Sequence, residues 1–508
     1  MDRAIRRKGG AKNMYVVRTK NGEVKGIKTK GAYVWMGIPY AKPPVGALRF
    51  KPARPVCDWE GVKDASACGP ICFQNRKNAV MSEDCLTLNI WSPVQGEKND
   101  LKKRAVMFFI HGGSFCAGSG SDGDIDGAKL AAFGDVVVVT ANYRLGVLGF
   151  LDFSFLGGDF YPNCGLTDII EALKWTHKNI EAFGGDPQNI TVFGQSAGAI
   201  VASVLPVIPS ARPYFSKVIM MSGGPTLPHT QQQYQATARD FLQFMHIDRP
   251  ESLLTMPAEK LTARQKEFSK WCGLGAGTFM LEIDGELIPE YPIPAAAKGA
   301  AKDIPILIGT TREEMSCLFI KPLAEILDVN SIMDVMVQTE DDSSCKEIPR
   351  LYERYGRRGG MLMMSDIVFR VGSAWYAEVY SAFADTWMYR FDYETFAMKL
   401  TRLHAFHSCD VPFVFGNNRA GMARWMFLLS PYKGGIRRVS NEIRTDFVTF
   451  AKTGRLPWAR CRGADTRGKS YKRTSGVVHM IAPDVKEKFS ATEYCRRSFS
   501  GCSNTMRE

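Results

Sequence analysis

The chain reads as an α/β protein with a central, mostly parallel sheet flanked by helices. Three observations predict this. Compact apolar runs without polar alternation recur along the chain, as strands covered on both faces require. Helical patterns lie between them, so strand and helix alternate. One run ends in Gly194-Gln195-Ser196-Ala197-Gly198, a strand, a turn of small residues and a helix start.

Taken in order, residues 14–40 read as short antiparallel strands with turns at Asn21-Gly22 and Lys30-Gly31, a small N-terminal sheet. Buried strands follow at 106–110, 136–140, 190–193, 218–221, 304–308 and 386–391. A helix between Leu166 and Phe183 carries Ile169, Ile170, Leu173, Trp175 and Ile180. Residues 226–300 and 318–385 are mostly helical and interrupt the strand rhythm. They read as lid insertions over the carboxyl edge of the sheet. The expected division is a basic N-terminus over 1–12, one catalytic domain over 13–460 and a basic C-terminal segment over 461–508.

A chain of 508 residues, 45% hydrophobic and 23% charged, is not disordered, collagen-like or a coiled coil. Its net charge of +13 invites a nucleic-acid or membrane-surface reading. The excess sits at the ends, however. Residues 1–30 and 451–508 each carry +8, which leaves the body slightly acidic at −3. Basic ends on an acidic body argue against a nucleic-acid partner. No apolar stretch follows the charged start, and no run is long enough to span a membrane, so a cytoplasmic protein without a membrane span is expected. Thirteen cysteines, an odd number, fit a reducing compartment. Cys68 and Cys72 lie four apart with no second pair at zinc spacing, so no metal site is expected there.

The chemistry gathers around Ser196. A nucleophilic serine on a sharp turn projects its hydroxyl from the sheet edge, with a helix amino end beside it. It needs backbone donors for a tetrahedral oxyanion. The glycine-rich turn His111-Gly112-Gly113-Ser114-Phe115 follows a predicted strand, so the amides of Gly113, Ser114 and Ala197 are candidates. It also needs a base, and an acid to orient that base. Chain order leaves His404, His407 and His479 as bases, and spacing alone does not separate His404 from His407. The acid should follow a strand, and two adjacent carboxylates, Glu313 and Glu314, follow Ile304–Gly309.

At these residues the chain resembles the type-B carboxylesterases, the α/β-hydrolase group that includes cholinesterases, mammalian carboxylesterases and bacterial p-nitrobenzyl esterases. Glu83-Asp84-Cys85-Leu86-Thr87-Leu88-Asn89-Ile90-Trp91 is similar to one family signature, and Phe183-Gly184-Gly185-Asp186-Pro187 through Gly198 is similar to the active-site signature. Asn142-Tyr143-Arg144-Leu145-Gly146 and Ser222-Gly223-Gly224 also fit. The resemblance runs from about Val16 to about Trp458 and implies an α/β-hydrolase fold. It implies Ser196 as nucleophile, Glu314 as acid and His407 as base, with Gly113, Ser114 and Ala197 as oxyanion donors. It further implies Ser222 as a supporting hydroxyl near the acid, Arg49 with Glu83 as a structural ion pair, and a loop-closing disulfide between Cys72 and Cys85 that cytosolic relatives leave reduced.

Two positions depart from the family. Ser114 stands where a third glycine is usual, and Met315 stands after the acid where glycine is usual. The loop from Phe73 to Asp84 has no aromatic residue beyond Phe73, so a choline-ester preference is unsupported. The expected activity is carboxylic-ester hydrolysis of small to medium esters through an acyl-enzyme, with no metal or cofactor. Carbamate, amide or thioester hydrolysis by the same triad is the alternative, and a non-catalytic adhesion relative is a remote one. The sequence does not choose between a monomer and a homodimer.

Overall fold

The structure is a computed structural model that describes residues 14–29, 31–93, 102–225, 229–319, 343–418, 420–428, 430, 433–472 and 476–480. The basic N-terminus over 1–12 and the end of the basic tail lie outside the described residues.

Strand pairing starts at the N-terminus. Strands β1 (Met14–Arg18), β2 (Glu23–Lys28) and β3 (Ala32–Pro39) form the expected antiparallel meander. It is not a separate sheet. Strand β4 (Val62–Asp64) pairs with β2, and β3 pairs with β5 (Thr87–Pro93), which carries the meander into the central sheet. The central strands are β6 (Arg104–Ile110), β7 (Val137–Ala141), β8 (Gly185–Gln195), β9 (Lys217–Met221), β12 (Ile306–Thr311) and β13 (Thr386–Phe391). They run parallel in the order β7-β6-β8-β9-β12-β13.

The apolar runs lack alternation because both faces of the sheet are covered. On β6, Val106, Phe108 and Ile110 enter one core while Met107 and Phe109 enter the other. Helix α1 (Cys164–Asn179) lays Leu166, Ile169, Ile170 and Leu173 into the first core. Four further helices matter below: α2 (Ala197–Val204), α3 (Gln231–Phe244), α4 (Val411–Phe415) and α5 (Lys433–Thr453). Helix α5 closes the second core with Val439, Ile443, Phe447 and Phe450, spaced at one helical face.

The structure adds detail to two expectations. The C-terminal segment set off at 461 adds β14 (Arg467–Tyr471), parallel to β13, and β15 (Gly476–His479), antiparallel to β14. Val477-Val478 before His479 reads as a strand end, where β15 lies, whereas β14, Arg467-Gly468-Lys469-Ser470-Tyr471, has no apolar run to read. The insertion 226–300 is helical, as expected, but it also holds a two-stranded parallel sheet of β10 (His229–Thr230) and β11 (Glu282–Ile283). Two-residue strands leave no periodicity to read.

At the root of that insertion Asn163 bonds both ways to β11. Its side-chain oxygen accepts the Glu282 N–H at 3.0 Å, and its amide donates to the Glu282 carbonyl at 3.0 Å. The Glu282 side chain is 1% exposed, and no donor reaches either carboxyl oxygen among the described residues. Burial first, and the neighbouring Asp152 carboxylate second, push its carboxyl up to about 9. Glu282 therefore holds a proton at neutral pH.

Candidate active site

Strand β8 ends at Gln195, and α2 begins at Ala197, so Ser196 is the whole turn. Its backbone sits at φ 56°, ψ −124°, a strained conformation for a residue with a side chain. The turn closes because flanking positions are glycine. A Cβ at Gly198 would fall inside contact distance of the Ile110 carbonyl oxygen, and one at Gly194 inside contact distance of the Gly198 carbonyl oxygen. Backbone cannot yield at either place. The Ser196 N–H donates to the Met221 carbonyl at 2.9 Å, which ties the turn to β9.

The oxyanion-loop candidates stand beside it. Gly113 has φ +119°, Ser114 φ 51° and Phe115 φ 56°, so the loop holds positive φ at three residues in succession. Ser114 tolerates the position where glycine is usual. Among the described residues the Gly113 and Ser114 amides donate to no protein acceptor. The loop rests on Tyr143, whose hydroxyl donates to the His111 carbonyl at 2.8 Å and whose ring stacks on His111 at 4.3 Å. Gly146 N–H donates to the Phe115 carbonyl at 2.7 Å. The segment Asn142–Gly146 is thus a strut under the loop, a role that pattern reading did not assign.

Geometry separates the paired candidates. His407 Nδ1 lies 2.7 Å from Glu314 Oε2, and the His407 N–H donates to the Glu314 carbonyl at 3.1 Å. Glu314 is fully buried, and its other oxygen accepts the Thr311 N–H at 2.5 Å. His404 instead faces Glu394, with Nδ1 3.4 Å from Oε1. Glu313 points away from the site, bonded to Arg312 at 2.9 Å and to Arg358. Glu313, Glu394 and His404 come within reach of one another as metal ligands would. The guanidinium groups of Arg312 and Arg358 already compensate these carboxylates. His479 lies on the edge strand β15, opposite Arg467.

Ser222 stands at φ 53° after β9, its N–H donating to the Gly309 carbonyl at 2.8 Å. Its hydroxyl is buried and has no partner among the described residues, so no bond links it to Glu314 here. Arg49 and Glu83 form a two-pronged ion pair at 2.7 and 2.5 Å. Cys72 and Cys85 are both buried thiols rather than a disulfide, and Cys72 Sγ donates to the Tyr143 carbonyl at 2.8 Å. Residues 318–385 read as shaping the pocket, with Leu318, Phe319, Phe369 and Trp375 as candidate walls; of these Phe369 lies against the His407 ring at 4.6 Å. The side chains of Leu318 and Phe319 lie outside the described residues.

A parallel sheet with a strained serine at a strand-to-helix turn, and an imidazole bonded to a buried carboxylate from neighbouring loops, defines an α/β-hydrolase. The carboxylesterase family model matches residues 13–465. A para-nitrobenzyl esterase of Bacillus subtilis is 39% identical over 451 residues, covering 86% of this chain and 90% of that protein. Human carboxylesterase 5A is 30% identical, covering 83% and 77%. A solved PNB esterase superposes with a TM-score of 0.82 at 36% identity, covering 93% of this chain and 99% of that one. The chain belongs to the carboxylesterase family and is a carboxylic ester hydrolase. No helix among the described residues is long and apolar enough to cross a membrane.

Proposed function

We propose that this chain hydrolyses small to medium carboxylic esters through an acyl-enzyme on Ser196. The observation that carries the reading is the 2.7 Å contact between His407 Nδ1 and Glu314 Oε2, reached from two loops beside the Ser196 turn. A carboxylate only accepts, so it holds the ring proton on Nδ1 and leaves Nε2 as the base. His407 takes the hydroxyl proton as Ser196 attacks the ester carbonyl. Glu314 orients the ring and stabilises the imidazolium. The Gly113, Ser114 and Ala197 amides receive the oxyanion. His407 then protonates the leaving alcohol, and water, activated by the same base, releases the acid. The buried thiols Cys72 and Cys85 suit a reducing, cytoplasmic compartment.

Turnover of short p-nitrophenyl esters by the wild type and Ser196→Ala tests this reading. The variant should lose at least about three orders of magnitude in kcat and all labelling by a fluorophosphonate. Equal rates in both proteins would remove Ser196 from the mechanism. An ester, carbamate and thioester panel then sets the leaving-group range.

A further inference from the structure

The residue before the serine touches the base. Gln195 Nε2 lies 3.0 Å from His407 Nε2, and the side chain is 6% exposed. Because Glu314 takes the proton on Nδ1, the opposite ring nitrogen presents a lone pair, and Gln195 must turn its N–H toward it. The carbonyl end of the same amide lies over Gly112, where a Cβ would approach Oε1 to 2.7 Å. Glycine at 112 is what lets the amide lie there. Phe369 covers the ring at 4.6 Å. The imidazole is therefore held at both nitrogens and on a face. Among the described residues no hydrogen bond joins the Ser196 hydroxyl to His407.

We infer that Gln195 is a positioning residue whose amide occupies the Nε2 lone pair of His407 before substrate enters and yields it to the Ser196 hydroxyl as the reaction begins. This rests on His407 being the base. An amide N–H matches only the unprotonated ring nitrogen, whereas a carboxylate at this position would match only the N–H of an imidazolium. The side chain at 195 thus selects the protonation state of the resting base. The titratable groups near the ring are Glu314 on Nδ1, Asp410 at the start of α4, and the buried Cys317 thiol. Gln195 adds a directed donor on the Nε2 side without adding charge.

The test is a nitrogen NMR titration of His407 in protein labelled at histidine. The signal is assigned by its loss in His407→Gln and followed in wild type, Gln195→Glu and Gln195→Met. The pH profile of kcat/KM for p-nitrophenyl acetate is recorded alongside. Gln195→Glu should move both the ring titration and the acidic limb of the profile up by about one unit. Gln195→Met, which lacks a donor of similar length, should move them the same way by less. It should also speed the reaction of Ser196 with a fluorophosphonate, since Nε2 is then unoccupied. A ring titration unmoved in both variants overturns the inference. Wild-type protein without esterase turnover would instead overturn the proposed function, and the ring titration would still report on Gln195.

Discussion

Glu314 and Glu282 are both glutamates with almost no exposure, one beneath the Ser196 turn and one at the root of the helical insertion. They differ in what meets the carboxyl. Glu314 receives a backbone N–H at 2.5 Å and an imidazole at 2.7 Å, so both oxygens have donors suited to a carboxylate. Among the described residues no donor reaches Glu282, and it faces a second acid, so the proton stays on it. Burial alone does not fix the state of a buried acid. The partners decide whether it is a working charge or a neutral filler.

The largest effect that would break this contrast is at the first site. Glu314→Gln should keep the fold but lose about four orders of magnitude in kcat, because an amide cannot hold the His407 tautomer. Steady-state kinetics on a p-nitrophenyl ester checks it, and a drop of less than tenfold would place the acid elsewhere.

At the second site the same substitution should help. The folded carboxyl titrates at about 9 against an ordinary value of 4.5, so the folded state binds the proton more tightly than the unfolded chain. Stability from this group is full below about pH 4.5 and is lost as pH rises from there through about 9. Glu282→Gln removes that loss. Urea unfolding should show a gain over wild type that grows across this window to on the order of a few kcal/mol. A gain independent of pH would mean that Glu282 does not hold the proton.

The smallest effect sharpens the cause. Burial outranks Asp152 in raising the Glu282 carboxyl. Asp152→Asn keeps the side-chain oxygen that accepts the Ser154 N–H at 2.7 Å and removes only the like charge. It should recover a minor share of the Glu282→Gln gain in the same urea series. Full recovery would reverse the order of causes.

Much of this site was legible in the chain. The turn at Ser196 is written in Gly194 and Gly198, since any side chain there meets backbone. The strands read well where both faces are covered, as at 106–110 and 386–391, because continuous apolar runs are their signature. Family likeness then favoured His407 over His404 and Glu314 over Glu313. Spacing alone could not, as both members of each pair occupy one loop. The partners of the rejected residues show why: His404, Glu313 and Glu394 form their own cluster with Arg312 and Arg358. Strand β14 stayed hidden because Arg467-Gly468-Lys469-Ser470-Tyr471 holds no apolar run.

The sequence by itself determined the alternation of strand and helix, the sharp turn and the chemical types at its end, because these depend on near neighbours and on steric limits of the backbone. Only the tertiary structure decided which imidazole meets which carboxylate and that Gln195 lies on His407. It also decided that Glu282 faces Asp152. Those contacts join residues as far as 212 positions apart. Distances across such separations are set by how the whole sheet stacks its loops, and no local pattern records them.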